Sequence, residues 1–313
     1  MKFCILFLKL IRWPNLVIIF LTQWLFQYCV ITPLLRAAGL EPKMSVAEFL
    51  MISAAYMLVA AAGYIINDYF DLGIDTVNKP GKVCITRGIS RTGALAAYGL
   101  MNAAAAGLAW VVSLELGGWA PLYCILGCIV LLYCYSAFFK KRFLIGNILV
   151  AGISASAMPV LTLVEGDAAG IFPDTLRYIT IYTFLYTGFA FIISFARELV
   201  KDLEDVEGDR RYGGRTMPIV LGARTAHWIV AGSLLSLIGV LAALQPFLWT
   251  QQDGGPSMLS LYSICLIILP LAWILRKVFG ARAVQDYHRL STWIKIVMLT
   301  GILSMLFIQF MIL

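Results

Sequence analysis

Long apolar runs recur along this 313-residue chain and restrict the folds open to it. Hydrophobic residues make up 61% of the sequence, above the roughly 45–50% typical of soluble domains, and the mean hydropathy is +0.87. A membrane-spanning helix needs about 20 mostly apolar residues in succession. Because a helix satisfies its own backbone groups within lipid, the sequence predicts an all-α integral membrane protein with nine transmembrane helices. Their approximate limits are 13–35, 46–66, 92–113, 119–138, 143–164, 178–197, 225–248, 258–275 and 291–312.

The basic residues follow an alternating pattern that predicts the orientation of these helices. Of the 24 Lys and Arg residues, 20 lie before the first run or in the loops after runs two, four, six and eight. Positive charge accumulates on the cytoplasmic side of membrane proteins. We therefore expect a multi-pass protein of the cell membrane, with its N-terminus and these loops in the cytoplasm. The net charge of +7 is explained by this topology and by an anionic ligand, and we expect no nucleic-acid partner.

Acidic residues concentrate in two short segments on the same predicted face. The first acidic segment, 67–75, contains three of the 17 Asp and Glu residues, and the second, 198–209, contains six. Crowded carboxylates repel one another and need a countercharge, which divalent cations with oxygen ligands supply. Negative charge at the C-terminal end of a helix also opposes the helix dipole unless a cation compensates it. Two such segments favour a metal site for diphosphate chemistry over two solvated helix ends.

Helical spacing places the acidic side chains of each segment in one column, because residues three, four, seven or eight apart share a helix face. Asp68 lies one step from the first column, and Glu198 lies one turn before the second. Two facing columns would hold about two Mg²⁺ ions, with substrate phosphates completing the coordination. The predicted ligands, with Asp68 assisting, are Asn67, Asp71 and Asp75 in the first column and Asp202, Asp205 and Asp209 in the second.

Polar and basic side chains near both columns are candidates for binding the oxygens of a diphosphate. Any single basic residue among them has an alternative role in membrane topology or in binding lipid headgroups. This alternative applies most strongly to the basic run 140–142, which lies on the same face. The candidates are Asn67, Lys79, Lys82, Arg87, Lys140 and Lys201.

These motifs resemble those of the UbiA superfamily of membrane prenyltransferases. Residues 67–75 match its N-D-x-x-D-x-x-x-D motif in full, and residues 12–15 match its Arg-x-Pro-Asn start. Within the superfamily, the sequences of these motifs are most similar to those of the branch of digeranylgeranylglyceryl phosphate synthases. The second motif of that branch, R-E-x-x-K-D-x-E-D-x-x-G-D, is matched at 197–209. Its Pro-rich loop R-P-x-P-S-G is replaced here by the different sequence of 82–88.

The resemblance implies one transmembrane prenyltransferase domain over residues 1–313, folded as a UbiA-like bundle around a central cavity open to the cytoplasmic face. It implies transfer of a prenyl group, most simply geranylgeranyl, from its diphosphate to a geranylgeranylglyceryl phosphate-type acceptor, which forms an ether lipid. Membrane lipids would surround the bundle, and its apolar cavity would exclude water. The ions and basic residues would neutralise the leaving diphosphate. The catalytic residues implied are Asp71, Asp75, Asp202 and Asp205.

Two other functions are compatible with parts of the sequence. An aromatic-acceptor prenyltransferase of quinone biosynthesis would share the metal site and the donor. Only the amino-acid sequence of residues 197–205 favours the glycerophosphate acceptor over an aromatic one. An ion-coupled transporter would place its carboxylates near the middle of the membrane on broken helices, whereas these carboxylates follow the ends of predicted spans. We therefore expect a prenyl diphosphate donor together with a lipid-like or aromatic acceptor.

Overall fold

Helices make up nearly all the regular structure of the computed structural model, which describes residues 2–78, 83–86, 88–169, 173–249 and 257–312. Short π-helical turns lie inside α2 and α12 and form the C-terminal end of α6. In chain order the helices are α1 Lys2–Leu10, α2 Trp13–Ala37, α3 Val46–Phe70, α4 Leu72–Asn78, α5 Arg91–Leu116, α6 Ala120–Phe139, α7 Ile145–Ala155, α8 Pro159–Ala169, α9 Pro173–Glu204, α10 Val206–Arg211, α11 Met217–Trp249, α12 Met258–Val278, α13 Val284–Leu303 and α14 Met305–Ile312.

The predicted membrane architecture is confirmed, with one span broken. Within the described ranges, 8 helices are long and apolar enough to cross a membrane: α2, α3, α5, α6, α9, α11, α12 and the combined α13–α14. The pair α7 and α8 passes the same test together, bends by 48° and brings the total to 9. Pro159 begins α8 and has no N–H with which to continue α7. At the break, the Tyr56 hydroxyl donates to the Ser156 carbonyl oxygen at 3.1 Å, which strengthens the pairing of an oxygen that otherwise accepts only a long bond of 3.5 Å from the Val160 N–H.

Helices α3 and α9 form the inner frame of the bundle. Helix α3 packs against α2, α5 and α6, and its Phe49 and Ile52 are completely buried. Helix α9 packs against α7, α11 and α13, and its Ile193 and Leu199 are likewise buried. Each helix leads directly into one of the acidic segments, so the frame that carries the hydrophobic core also positions these segments.

The loop after α4 packs against the N-terminal helix. Cys84 and Ile85 are buried with Leu10 and Ile65 in one apolar cluster. A β carbon on Gly88 would lie 2.4 Å from a methyl carbon of Leu6, so the loop approaches α1 closely. The apolar residues that replace the Pro-rich sequence thus contribute to packing. The three basic candidates of this region, Lys79, Lys82 and Arg87, lie outside the described residues.

A buried carboxylate ties the loop between α2 and α3 to α8 at the opposite end of the bundle. Glu165 is completely buried. Its carboxylate accepts hydrogen bonds from the backbone N–H groups of Lys43 at 2.6 Å and Met44 at 3.2 Å, and from the Gln27 side chain at 2.9 Å. These three donors satisfy the buried charge and fix the path of the loop.

Replacing this carboxylate should destabilise the fold. Glu165→Ala would leave three donors unpaired, and we expect a loss of about 3 kcal/mol in the free energy of unfolding. Glu41→Ala is the matched control, because the Glu41 side chain is 79% exposed and should contribute little. Thermal unfolding of both variants in detergent would measure the difference. Equal melting temperatures for the two variants would contradict this role of Glu165.

Candidate active site

Both acidic segments pass through a break between a long and a short helix. Helix α3 ends before Asp71, which has φ −91° and ψ 2°, and α4 begins at Leu72. Helix α9 ends before Asp205, which has φ −101° and ψ 7°, and α10 begins at the next residue. The Asp75 N–H donates to the Asp71 carbonyl at 2.9 Å, and the Asp209 N–H donates to the Asp205 carbonyl at 3.1 Å. Each predicted column is therefore bent at its middle carboxylate, and its last member lies on a separate short helix.

Asn78 fastens the two short helices together. Its side-chain amide donates to the Asp205 carbonyl oxygen at 3.1 Å and accepts from the Gly208 N–H at 2.8 Å. A β carbon on Gly208 would lie 2.4 Å from two atoms of the Asn78 amide, so this approach requires glycine. On the other side of the contact, a β carbon on Gly73 would lie 2.6 Å from the Tyr212 ring. Segments far apart in the sequence thus meet at one end of the bundle.

Lys140 lies between two of the predicted metal ligands. Its ammonium donates to the Asn67 side-chain oxygen at 3.0 Å and makes a short ion pair with the Asp71 carboxylate. Asp71 is only 3% exposed, so its charge needs a partner close by. Burial lowers the pKa of Lys140, but the charge and hydrogen bond of the Asp71 carboxylate, together with Tyr135, raise that pKa above its ordinary value. The ammonium therefore stays charged and compensates Asp71.

The backbone around Lys140 is held closely by the next helix. A β carbon on Gly146, in the first turn of α7, would lie 2.9 Å from the Phe139 carbonyl oxygen and 3.0 Å from the Lys140 α carbon. Glycine at this position therefore lets α7 pack directly against the turn that carries Lys140. The Arg215 N–H donates to the Lys141 carbonyl oxygen at 2.8 Å, which joins the same turn to the chain after α10.

Asp68 is paired with the N-terminal region. The Arg12 guanidinium donates to the Asp68 carboxylate at 2.8 Å and lies 4.8 Å from the centre of the Tyr64 ring. Arg12 has φ +51°, a left-handed conformation that turns the chain between α1 and α2. Burial opposes its charge, but the Asp68 carboxylate raises the pKa of Arg12. Asp68 therefore lies beside a permanent cation.

The same region reaches two further helices through Asn15. Its amide donates to the Tyr64 hydroxyl of α3 at 3.1 Å. Its oxygen accepts from the Lys295 ammonium of α13 at 2.6 Å. The Arg-x-Pro-Asn sequence therefore joins the first, second and last spans next to the first acidic segment.

The second acidic segment is neutralised by its own set of partners. Asp202 accepts a hydrogen bond from the Asn147 amide of α7 at 2.8 Å. Glu198 accepts from Lys201 at 2.7 Å and from Arg197 at 3.2 Å, so the candidate diphosphate ligand Lys201 balances a carboxylate in this structure. The Glu204 side chain is only 9% exposed. It pairs with His288 at 3.0 Å, which joins α9 to α13.

The donor atoms suit magnesium, although they do not form a complete metal site by themselves. No three Asp, Glu, His or Cys side chains of the described residues lie close enough together to hold an ion. Oxygens of Asn67 and Asp71 already bind one cation, the Lys140 ammonium. Mg²⁺ takes oxygen ligands and is commonly held by one or two carboxylates together with substrate phosphates. The residues therefore fit an ion that binds together with a phosphate ligand.

Sequence reasoning missed several side chains that complete this region. The Arg-x-Pro-Asn pattern at 12–15 contained a usable signal for Arg12 and Asn15, and the Asn-x-Pro pattern at 78–80 contained one for Asn78. Lys295 was marked as an ionisable residue inside an apolar run. Asn147 carried no signal, because one amide in an apolar run does not reveal which helix it faces. The five residues are Arg12, Asn15, Asn78, Asn147 and Lys295.

Comparison with known proteins gives a family match over most of the chain. The model of the UbiA prenyltransferase family matches residues 25–299. A digeranylgeranylglyceryl phosphate synthase of Sulfolobus acidocaldarius is 32% identical over 243 residues, which cover 76% of this chain and 80% of that protein.

Solved structures share the fold. A digeranylgeranylglyceryl phosphate synthase studied in membranes superposes with a TM-score of 0.64 at 20% identity, covering 98% of this chain and 99% of that one. A UbiA homolog from Archaeoglobus fulgidus, solved with DMAPP and Mg²⁺ bound, gives a TM-score of 0.56 at 14% identity, covering 96% and 98% of the two chains.

The contact between Asn78 and Gly208 should be sensitive to one added methyl group. Gly208→Ala would force the two short helices apart, and we expect it to cost about 1–3 kcal/mol in the free energy of unfolding. Adding Asn78→Ala removes the clash, so the double variant should be no less stable than Gly208→Ala. Chemical denaturation of the purified variants would measure both effects.

The control for this pair is Gly232→Ala. A β carbon on Gly232 would meet no atom within 4 Å, and alanine in a helix should be neutral or slightly stabilising there. If Gly208→Ala matched Gly232→Ala in stability, the two short helices would not be packed as described.

Proposed function

We infer the reaction from one premise: this chain belongs to the UbiA prenyltransferase family and is a membrane prenyltransferase. We propose that it transfers a geranylgeranyl group from its diphosphate to a geranylgeranylglyceryl phosphate-type acceptor and forms an ether lipid. The observation that carries the proposal is the bridge from Asn78 to Asp205 and Gly208, which brings the two acidic segments together. The relative from Sulfolobus acidocaldarius, similar over most of both chains, supports this acceptor over an aromatic one.

The proposed metal ligands come from both segments, and we propose two Mg²⁺ ions. When bound, magnesium neutralises negative charge on the diphosphate and makes it a better leaving group. We assign Asp68 chiefly to holding Arg12, because these two side chains form an ion pair. The proposed ligands are Asn67, Asp71, Asp75, Asp202, Asp205 and Asp209. Four of them are the proposed catalytic residues: Asp71, Asp75, Asp202 and Asp205.

Basic side chains of this chain bind and orient the donor in the proposed reaction. Lys140 and Arg12 present cationic groups at the first segment, and Lys201 presents one at the second. Hydrogen bonds from these groups to phosphate oxygens become stronger as negative charge develops there. The loop candidates Lys79, Lys82 and Arg87 follow α4 directly in the sequence and are proposed to act on the same diphosphate.

The bond changes follow from the substrates. The bond between C1 of the donor and the diphosphate oxygen breaks, and its electron pair leaves with the diphosphate. The acceptor hydroxyl oxygen forms a new bond to C1 and releases its proton. We propose that apolar side chains of α3 and α9 next to the acidic segments limit the access of water, which would otherwise capture the allylic cation.

We propose that the acidic end of the bundle faces the cytoplasm. This orientation is supported by the 20 basic residues that the sequence places on that side. It gives the diphosphate and magnesium access from the cytosol, while the prenyl chain of each substrate enters from the lipid.

An assay with two acceptors tests the proposed reaction. Purified protein with Mg²⁺ and radiolabelled geranylgeranyl diphosphate would be offered geranylgeranylglyceryl phosphate or 4-hydroxybenzoate in separate reactions. We expect an EDTA-sensitive lipid product only with the first acceptor. Product only with 4-hydroxybenzoate would assign the chain to quinone biosynthesis, and product with neither would reject both acceptors.

Loss of a proposed metal-binding carboxylate from either acidic segment should strongly lower the turnover rate. We expect Asp71→Asn and Asp205→Asn each to lower kcat by about a hundredfold to a thousandfold, because each removes electrostatic stabilisation of the leaving group. Glu207→Gln is the control, since Glu207 is exposed and pairs with Arg211. Initial rates at saturating Mg²⁺ would measure these effects. Near wild-type rates in either Asp variant would remove that residue from the metal site.

Lys140 should stabilise the metal-free protein. Lys140→Gln would leave the buried Asp71 carboxylate without its cation, at a cost of about 2 kcal/mol, below that of a fully buried pair because the Lys140 side chain is 30% exposed. Mg²⁺ with a donor analogue should then raise the melting temperature of the variant more than that of the wild type. Lys141→Gln, an exposed neighbour, serves as the control. An unchanged metal-free melting temperature for Lys140→Gln would contradict this role.

A further inference from the structure

A pocket of about 430 Å³ opens between the start of α11 and the loop that joins α12 to α13. It lies at the end of the bundle that carries the acidic segments, since α11 follows α10 closely in the chain. None of its residues belongs to those segments or pairs with them. The lining residues are Arg224, His227, Trp228, Phe279, Ala281 and Arg282.

Two aromatic rings form the apolar wall of the pocket. Trp228 and Phe279 pack edge to face with their ring centres 4.8 Å apart, and they remain 61% and 46% exposed. Aromatic side chains of this kind are enriched where a membrane meets water, because they have an apolar body that can contact lipid. Behind them, His227 shares a hydrogen bond of 3.2 Å with the Tyr287 hydroxyl, which fixes the floor of the pocket.

Two guanidinium groups supply the charge. Arg224 and Arg282 are both exposed, and neither side chain makes an ion pair or hydrogen bond with any residue in the described parts of the chain. The nearby Asp286 carboxylate accepts hydrogen bonds from the backbone N–H groups of Arg282 at 3.1 Å and Ala283 at 3.0 Å. Asp286 therefore caps the start of α13 and does not pair with either guanidinium.

The path of α11 adds to the positive potential. Gly222 has φ +82° and ψ 158°, so the helix is interrupted there and resumes with Arg224 in its first turn. The N-terminal end of a helix is favourable for an anion. Two further cations, Arg276 and Lys277, lie in the last turn of α12.

We propose that this pocket binds the headgroup of an anionic membrane phospholipid. Arg224 and Arg282 bind its phosphate, and Trp228 and Phe279 contact the glycerol and the first acyl carbons. Basic pockets between transmembrane helices are suited to anionic headgroups. A free phosphate ion would use the two arginines alone and would leave the exposed aromatic wall without a partner. The proposed occupant is therefore a resident lipid, separate from the substrates of prenyl transfer.

Native mass spectrometry of the full-length protein tests this proposal. Wild-type protein in a neutral detergent would be mixed with equal amounts of phosphatidylglycerol or phosphatidylcholine. We expect retention of phosphatidylglycerol and much weaker retention of phosphatidylcholine. Arg224→Gln and Arg282→Gln should each weaken retention about fivefold, the effect of removing one positive charge near an anionic lipid. Arg91→Gln, an exposed arginine at the start of α5, should leave retention unchanged.

Three outcomes would overturn the proposal. Equal retention of the two lipids by the wild type would show that the headgroup charge is not recognised, and this comparison needs no variant. Displacement of phosphatidylglycerol by millimolar inorganic phosphate would identify an ion site and not a lipid site. Unchanged phosphatidylglycerol retention in Arg224→Gln/Arg282→Gln, with a raised KM for the lipid acceptor, would assign the pocket to the acceptor substrate.

Discussion

Negative charge at the ends of two membrane helices is the constraint on which the rest of this structure depends. Carboxylates at the C-terminal end of a helix oppose its dipole, and partial burial removes the water that would otherwise solvate them. The protein compensates three of these groups, Asp68, Asp71 and Asp202, with a cation or an amide from another element. Arg12 comes from the N-terminal turn, Lys140 from the turn after α6, and Asn147 from α7. Because these partners come from separate elements, the carboxylates are neutralised only when the bundle is correctly assembled.

The two acidic segments share one local geometry, a long helix followed by a short one. Each long helix stops at a carboxylate, Asp71 or Asp205, and a short helix continues from it with its first hydrogen bonds intact. The short helices then meet through Asn78 against Gly208, where no side chain larger than hydrogen fits without movement. This contact gives the site rigidity that two separate helix ends would lack. A metal and diphosphate site benefits from such preorganisation, because charge stabilisation depends on donors that are already in place.

Much of the fold could be predicted from the sequence, because long apolar runs can satisfy their backbones only as helices in lipid. The break at Pro159 was visible in the sequence, but a hydropathy window averages over it and gives one straight span. The bends at Asp71 and Asp205 were not predicted, since helical periodicity assumes that a helix continues. Helical periodicity also does not predict which side chains on different helices pair with one another. Nothing in the basic run 140–142 identifies Lys140 as the partner of Asp71. Likewise, nothing in the sequence around Arg12 identifies it as the partner of Asp68.

We propose that both acidic segments contribute to one site for metal and diphosphate. Equilibrium binding of Mn²⁺, used in place of Mg²⁺ and followed by electron paramagnetic resonance, tests it most directly in the presence of a non-reactive thiolodiphosphate analogue of the donor. The wild type should bind Mn²⁺ only when the analogue is present. Asp71→Asn in the first segment and Asp202→Asn in the second should each weaken that binding strongly. Wild-type affinity in either variant would show that the two segments do not share one site.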